Sequence, residues 1–106
     1  MTEYVIGKFK NQSFSIEQDD ISISFRLRTY RGIIYMEVYD GDELIRANIR
    51  CVNNQFLLTK EVEDHFGCNV KFVDKDGDYP NSDNFDGFKC KFYLYTKKEL
   101  ILERGV

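Results

Sequence analysis

The sequence lacks a long apolar run, a secretory leader and an excess of basic residues, and each absence excludes a class of protein. Its longest apolar run falls far short of the roughly 20 residues that a membrane-spanning helix requires. The first eight residues, Met1 to Lys8, lack the basic-then-apolar pattern of a signal peptide. We therefore expect a protein that is made in the cytosol and has no membrane partner.

The charge balance and the cysteine content exclude further classes. The net charge is −3, which argues against nucleic acid as the main partner because phosphate neutralisation drives that binding. Three cysteines without a CxxC pair indicate reduced thiols rather than disulfides or a structural zinc centre. The chain also lacks GxSxG, HExxH and a glycine-rich phosphate loop, so it shows no enzyme signature and predicts no cofactor.

Two local clusters resemble functional motifs but do not fit them well. His65 and Cys68 stand three residues apart, and Asp64 lies beside them, yet catalytic triads usually draw their members from separate elements. Asp74 to Asp78 starts like a calcium loop, but glycine falls at the fourth position and Phe85 at the twelfth, where a bidentate glutamate belongs. We therefore expect neither a catalytic residue nor a metal ligand in either cluster.

A length of 106 residues, 42% hydrophobic and 15% aromatic, predicts one folded domain over residues 1–106. Alternation of apolar and polar residues predicts strands over 21–28, 33–39 and 44–51. If Arg31-Gly32 and Gly41-Asp42 form the two loops, the apolar residues of all three strands share one face. This register places Phe25 opposite Val38 and Val38 opposite Ile45, with an Arg26–Glu37–Arg46 ladder on the other face. Gly41 suits a type II′ turn, whereas Arg31 is a poor residue for positive φ and favours a longer first loop.

The rest of the chain predicts one short helix and further strands. Thr59 as N-cap and Gly67 as terminator predict a helix over about 59–66. Strands are predicted around Val70–Phe72, over 89–95, and near Val5–Phe9. The tail 97–106 is either a helical end or disordered. The expected fold is mainly β: a small antiparallel sandwich or barrel of about five to seven strands.

Two surface features remain. The predicted register turns Tyr35, Tyr39, Tyr93 and Tyr95 outward, and exposed aromatic residues of this density suggest a protein interface. Residues 75–88 form a loop that holds the only proline, and loops of such length are usually functional or disordered. Lysines and tyrosines along 89–98 also resemble a platform for single-stranded nucleic acid.

Several stretches are similar to the phage baseplate plug family of contractile-tailed phages and phage-tail-like bacteriocins. They are Phe25-Arg26-Leu27-Arg28, Ile34-Tyr35-Met36-Glu37-Val38-Tyr39-Asp40, Leu57-Leu58, Val73-Asp74, Gly77-Asp78-Tyr79-Pro80 and Asp83-Asn84-Phe85 with Gly87. The last of these resemble the family's closing loop before a final strand. The resemblance extends over about residues 14–95.

The resemblance implies a non-catalytic structural protein of the virion tail baseplate or of a tail-like particle. It implies partners among the hub, spike and inner tail tube proteins, in an assembly that holds multiple copies. Within that assembly we expect Asp78, Pro80, Asn84 and Gly87 to shape the closing loop. The alternative is a small β-barrel that binds single-stranded nucleic acid or another ligand through the 89–98 edge, and a small hydrolase is third.

Overall fold

The computed structural model of the chain describes residues 1–85 and 89–104. The strands are β1 (Thr2–Tyr4), β2 (Asn11–Gln18), β3 (Ile21–Tyr30), β4 (Ile33–Asp40), β5 (Glu43–Arg50), β6 (Cys68–Asp74) and β7 (Cys90–Thr96). The helices are α1 (Lys60–Phe66) and α2 (Lys97–Arg104), and Ser82–Asn84 form one 3-10 turn. Neither helix of the described ranges is long and apolar enough to cross a membrane.

The strands form two antiparallel sheets, in the orders β2-β3-β4-β5 and β1-β7-β6. The chain is therefore mainly β, as predicted, with two open sheets rather than a closed barrel. The rings of Phe14 and Phe25 on the first sheet contact Phe92 on the second at 5.7 and 5.5 Å between centroids. These aromatic contacts place the hydrophobic core between the facing sheets.

The predicted register of β3 and β4 is confirmed, and that of β4 and β5 is wrong over most of its length. Phe25 lies opposite Val38, and Arg26 lies opposite Glu37. In the second pair Tyr39 faces Leu44 as predicted, but Val38 faces Arg46 and Met36 faces Ile49. The cause is irregularity in β5, where the register shifts twice and Asn48 has a φ of 58°.

The β3–β4 turn also departs from expectation. Its loop is the two-residue Arg31-Gly32 rather than a longer one, with φ of 51° and 78°. Two consecutive positive φ values are typical of a type I′ turn, which matches the twist of the flanking strands. The Arg31 guanidinium carbon lies 5.2 Å from the centre of the Tyr30 ring, a contact that helps to offset the strained backbone.

Two strands predicted weakly or not at all complete the sheets. The N-terminal strand is Thr2–Tyr4, paired with β7, so the prediction near Val5–Phe9 is displaced. Strand β2 was not predicted, because Phe14 and Ile16 are its only strongly apolar residues. It pairs with β3 through the Asp19-Asp20 turn, and the Ser15 and Ser24 hydroxyls lie 2.7 Å apart across the pair.

The two helices cover one end of the sandwich and the far face of the smaller sheet. Val62 and Phe66 of α1 are buried in the core, and Gly67 ends the helix with φ of 73°. Thr59 occupies the N-cap position but makes no side-chain capping bond. Helix α2 begins after Thr96, whose backbone N–H and hydroxyl both donate to the Glu99 carboxylate at 3.1 Å.

Candidate interaction surface

The surface of the four-stranded sheet that faces away from the core is covered by no other described element. We call it the outer face. Its polar and aromatic side chains are exposed or half-buried: Ser13, Ser15, Ser24, Arg26, Arg28, Tyr30, Tyr35, Glu37, Tyr39 and Arg50, the last of which pairs with Tyr35. They share one face because side chains alternate along each strand and the pairing of β2, β3 and β4 is regular. The predicted outward position of Tyr35 and Tyr39 agrees with this arrangement.

The charges on the outer face do not form the predicted ladder. Glu37 forms an ion pair with Arg28, whose Nε lies 3.0 Å from Glu37 Oε1. The Tyr39 hydroxyl donates a hydrogen bond to Glu37 Oε2 at 3.2 Å. Among the described residues, no acid lies within ion-pair distance of Arg26, Arg46 or Arg50. The irregular register of β5 explains the missing ion pair of Arg46, because it places Arg46 opposite Val38 rather than Glu37. Three arginines are left available for contacts outside the chain.

An open groove of about 480 Å³ crosses the outer face near the β3–β4 turn. All four strands contribute to it, and its lining residues are Asn11, Arg28, Thr29, Tyr30, Tyr35 and Asn48. The Tyr30 ring is 61% exposed, so an apolar surface flanked by hydrogen-bonding groups is presented to solvent. Aromatic and arginine side chains of this kind are enriched at the centres of protein interfaces.

Tyr95, one of the four interface candidates, belongs to the interior. It is 5% exposed, and its ring meets the ring of Phe56 edge-on at 5.1 Å. The Lys71 ammonium lies 5.1 Å from the Tyr95 ring and 4.8 Å from the Phe56 ring. Burial raises the pKa of the Tyr95 hydroxyl. Tyr95 lies on the side of β7 away from the core, as alternation predicts, but Phe56 and α2 cover that side. The prediction that Tyr95 is exposed is therefore wrong, whereas Tyr93 is half-buried.

The basic edge along 89–98 is largely neutralised within the chain. Lys91 lies 3.5 Å from Glu3, and Lys97 lies 2.6 Å from Asp64. Lys89 lies 2.6 Å from Asp78, whose hydrogen bond raises the pKa of the lysine. These pairings leave this edge with little of the free positive charge that a nucleic-acid platform needs.

A buried polar network lies where α1, β6 and α2 meet. The Glu63 carboxylate accepts two hydrogen bonds from Arg104, at 2.9 and 2.7 Å, and one from Asn69 Nδ2 at 2.8 Å. Asn69 also bonds the backbone N–H and C=O of Leu58, both at 2.9 Å. The Arg104 hydrogen bonds, and then that from Asn69, lower the pKa of Glu63 against the opposing effect of its burial. This network attaches the C-terminal helix to the rest of the fold.

The loop after β6 is organised around Asp74, which was not among the predicted loop-shaping residues. Asp74 is 4% exposed, and its Oδ1 accepts the backbone N–H groups of Asp76 at 2.9 Å and Asp78 at 3.2 Å. Its Oδ2 accepts Asn84 Nδ2 at 3.3 Å, while Pro80 is buried. Gly87 lies outside the described residues.

Carboxylate oxygens of Asp74, Asp76 and Asp78 lie within 4.8 Å of one another. Two observations explain the cluster without a cation. Asp74 already accepts three donors from the loop itself, and the Lys89 ammonium lies 2.6 Å from Asp78 and 3.9 Å from Asp76. The acids therefore act within the loop as hydrogen-bond acceptors and ion-pair partners.

The cluster of Asp64, His65 and Cys68 does not come together as a reactive group. Cys68 is fully buried, and burial raises the pKa of its thiol to about 11. His65 is exposed, with Nε2 2.8 Å from an oxygen of Asp40, and Asp64 pairs with Lys97. Cys51 and Cys90 are also buried. A buried thiol with a raised pKa is a poor nucleophile.

The similarity of the chain to known proteins agrees with the resemblance in its sequence. Residues 1–98 match the family described as the cyanophage baseplate Pam3 plug gp18. The chain belongs to this baseplate plug family. The match includes β1 and β7, which lie outside the stretches, from Phe25 to Gly87, that carry the resemblance in the sequence. No curated protein matches the chain.

Membership of the plug family gives the chain a structural role in the phage tail baseplate, where it assembles with other baseplate components. Its location is accordingly the baseplate of the virion. The surface residues that sequence reasoning missed are Tyr30 and the groove partners Asn11 and Asn48. The available signal was weak: Tyr30 precedes a turn, and the two asparagines become neighbours only through the pairing of four strands.

Proposed function

We propose that the chain is a non-catalytic structural component at the centre of a contractile-tail baseplate, where it packs against the hub and spike proteins and reaches the inner tail tube. It would be made in the bacterial cytoplasm and be present in several copies. The observation that carries this proposal is an uncovered sheet face rich in tyrosine and arginine on a member of the plug family. The interface candidates are Tyr35 and Tyr39 on this face and Tyr93 on β7 of the smaller sheet.

We propose a non-catalytic role because the candidate reactive side chains are buried or engaged in contacts within the chain. Cys68 is inaccessible, His65 is bound to Asp40, and the acidic cluster is engaged in loop hydrogen bonds. The loop itself offers a second contact region. Tyr79 at its exposed end is 58% accessible, while Phe85 is buried with its ring stacked 5.5 Å from Phe72. Asp78, Pro80 and Asn84 would hold this loop in shape for docking.

Cross-linking mass spectrometry on purified particles tests the central position. A lysine-reactive cross-linker has suitable sites at Lys8, Lys75 and Lys98, which are exposed. We expect cross-links from these lysines to hub, spike or tube proteins. Cross-links confined to sheath or peripheral baseplate proteins would contradict the central position, and a chain missing from washed particles would contradict the structural role itself.

A further inference from the structure

The outer face carries positive charge on a chain that is acidic overall. Three arginines, Arg26, Arg28 and Arg50, lie on it beside the carboxylates of Glu17 and Glu37, and the exposed Arg46 lies on the edge strand β5. Only Arg28 has an ion-pair partner within the described residues. The net charge of the whole chain is −3, so the acidic residues are concentrated elsewhere on its surface.

We propose that the outer face docks on an acidic surface of a second baseplate protein. Tyr30 and Tyr35 in the groove provide the apolar anchors, and Arg46 and Arg50 of β5 bind carboxylates of the partner. This inference rests on the proposed structural function and adds the face and the partner's chemistry to it.

The geometry of the groove fits this use. Tyr35, which lines the groove, pairs with Arg50 in the β4–β5 register, so Arg50, which has no ion-pair partner among the described residues, occupies the neighbouring position on the adjacent strand. Asn11 and Asn48 line the same groove and supply both donors and acceptors. An interface of this type combines aromatic anchors with arginine forks that bind carboxylates through two hydrogen bonds.

The charge distribution favours an acidic protein surface over a nucleic acid. A nucleic acid presents phosphates at regular spacing over a long distance, and the net negative charge of the chain repels them outside the immediate face. An acidic patch on a folded protein is local, so it can bind the positively charged face without approaching the negatively charged remainder of the surface. Family membership also places the chain among protein components of the baseplate.

The test uses complemented phage production with variants of the full chain. The test variant is Arg46→Glu combined with Arg50→Glu, since both side chains are exposed and neither makes an ion pair or a side-chain hydrogen bond within the described residues. The control is Lys98→Glu, an exposed residue of α2. Plug copies per purified tail are counted by quantitative mass spectrometry, and melting temperatures are measured on the free proteins.

We expect the double variant to lose at least about tenfold in tail incorporation, which corresponds to 1.4 kcal/mol, with an unchanged melting temperature. The control should incorporate like the wild type. A carboxylate-to-lysine change in the partner that restores incorporation would give direct support. Normal incorporation of the double variant would overturn the proposed face.

Two further results separate this inference from the proposed function. If wild-type protein is itself absent from tails, the structural function fails, whatever the outer face does. If the double variant incorporates normally but loses salt-sensitive binding to a single-stranded DNA oligonucleotide, the face binds nucleic acid, and the acidic-protein proposal is wrong.

Discussion

Arg104, near the end of the C-terminal helix, binds the buried carboxylate of Glu63 through two hydrogen bonds of 2.9 and 2.7 Å. The two residues are 41 positions apart, and their contact joins α2 to α1. Other polar contacts of α2 include the ion pairs of Glu99 with the N-terminal ammonium, of Glu103 with Lys71 at 3.8 Å and of Lys97 with Asp64 at 2.6 Å. Only Leu100 of this helix is buried. Helix α2 is therefore attached to the fold largely by polar contacts.

Replacing Arg104 by methionine should destabilise the fold by leaving the Glu63 carboxylate buried without its cation. A buried polar group deprived of its partner costs about 1–3 kcal/mol, and we expect the lower end because the guanidinium is partly in water. Urea unfolding followed by circular dichroism measures the loss. Lys98→Met on the same helix is the matched control, because Lys98 is exposed.

A double variant makes the prediction for this pair sharper. Glu63→Gln removes the buried charge, so adding Arg104→Met to it should cost less than Arg104→Met alone. Equal costs in the two backgrounds would show that Arg104 acts through the contact of its guanidinium with Phe56, whose ring centre lies 5.3 Å from Cζ, and not through the carboxylate.

The same pair predicts a pH dependence of stability. Hydrogen bonds from Arg104 and Asn69 lower the pKa of Glu63 in the folded state below its ordinary value of 4.5. A lowered folded-state pKa contributes stability above the unfolded-state pKa, and this contribution is lost as pH falls through the folded-state value. The stability advantage of wild type over Glu63→Gln should therefore be constant near neutral pH and shrink below pH 4.5.

Unfolding free energies measured from neutral pH down to acid, for both proteins, check this expectation. Glu61→Gln serves as the control, because Glu61 is exposed on the same helix. Curves for wild type and Glu63→Gln that stay parallel into acid would mean that Glu63 contributes no pH dependence.

Tyr95 and Tyr35 should behave in opposite ways when truncated to alanine. Tyr95 is buried against Phe56 and Lys71, and removing a large buried aromatic side chain costs about 3–5 kcal/mol. Tyr35 is half-buried on the outer face, so Tyr35→Ala should cost about 1 kcal/mol and act mainly on tail incorporation. Thermal melting and the incorporation assay distinguish the two, and Tyr95→Phe should retain most of the stability.

Asp74 should matter more for the stability of the 75–88 loop than its neighbouring acids. Asp74→Ala leaves the N–H groups of Asp76 and Asp78 without their acceptor, which we expect to cost about 1–3 kcal/mol. Asp76→Ala removes an exposed carboxylate and should change stability by about 0.5 kcal/mol at most. Hydrogen exchange at the amides of residues 76 and 78 should accelerate in the first variant only.

The sequence predicted the β3–β4 pairing because the alternation and the turn position agree there. It did not predict features that depend on tertiary structure. The register of β5 depends on Asn48, whose positive φ no alternation pattern reveals. Strand β2 has too few apolar residues to be recognised alone and is stabilised by its pairing with β3. Helix α2 had a readable signal in Thr96 and Glu99, a capping pair three residues apart.

The candidate surface was predicted in part for the same reason. Tyr35 and Tyr39 lie on a strand whose inner face is apolar, so their outward position follows from alternation. Tyr95 shows the same alternation but lies on a strand of the smaller sheet. Near α2, other parts of the chain pack against both faces of that sheet. Alternation separates the two faces of a strand and cannot tell which face a later segment will cover.

The irregular path of β5 has a consequence for the free chain before assembly. An edge strand offers unpaired N–H and C=O groups that can extend a sheet into a neighbouring molecule and so start a fibre. In β5 the left-handed Asn48 interrupts that row, and Arg46 and Arg50 set like charges along it. A second copy would find no continuous ladder to join at this edge. The irregularity that hides the register of β5 from the sequence thus also disfavours pairing of another molecule with this edge of the sheet.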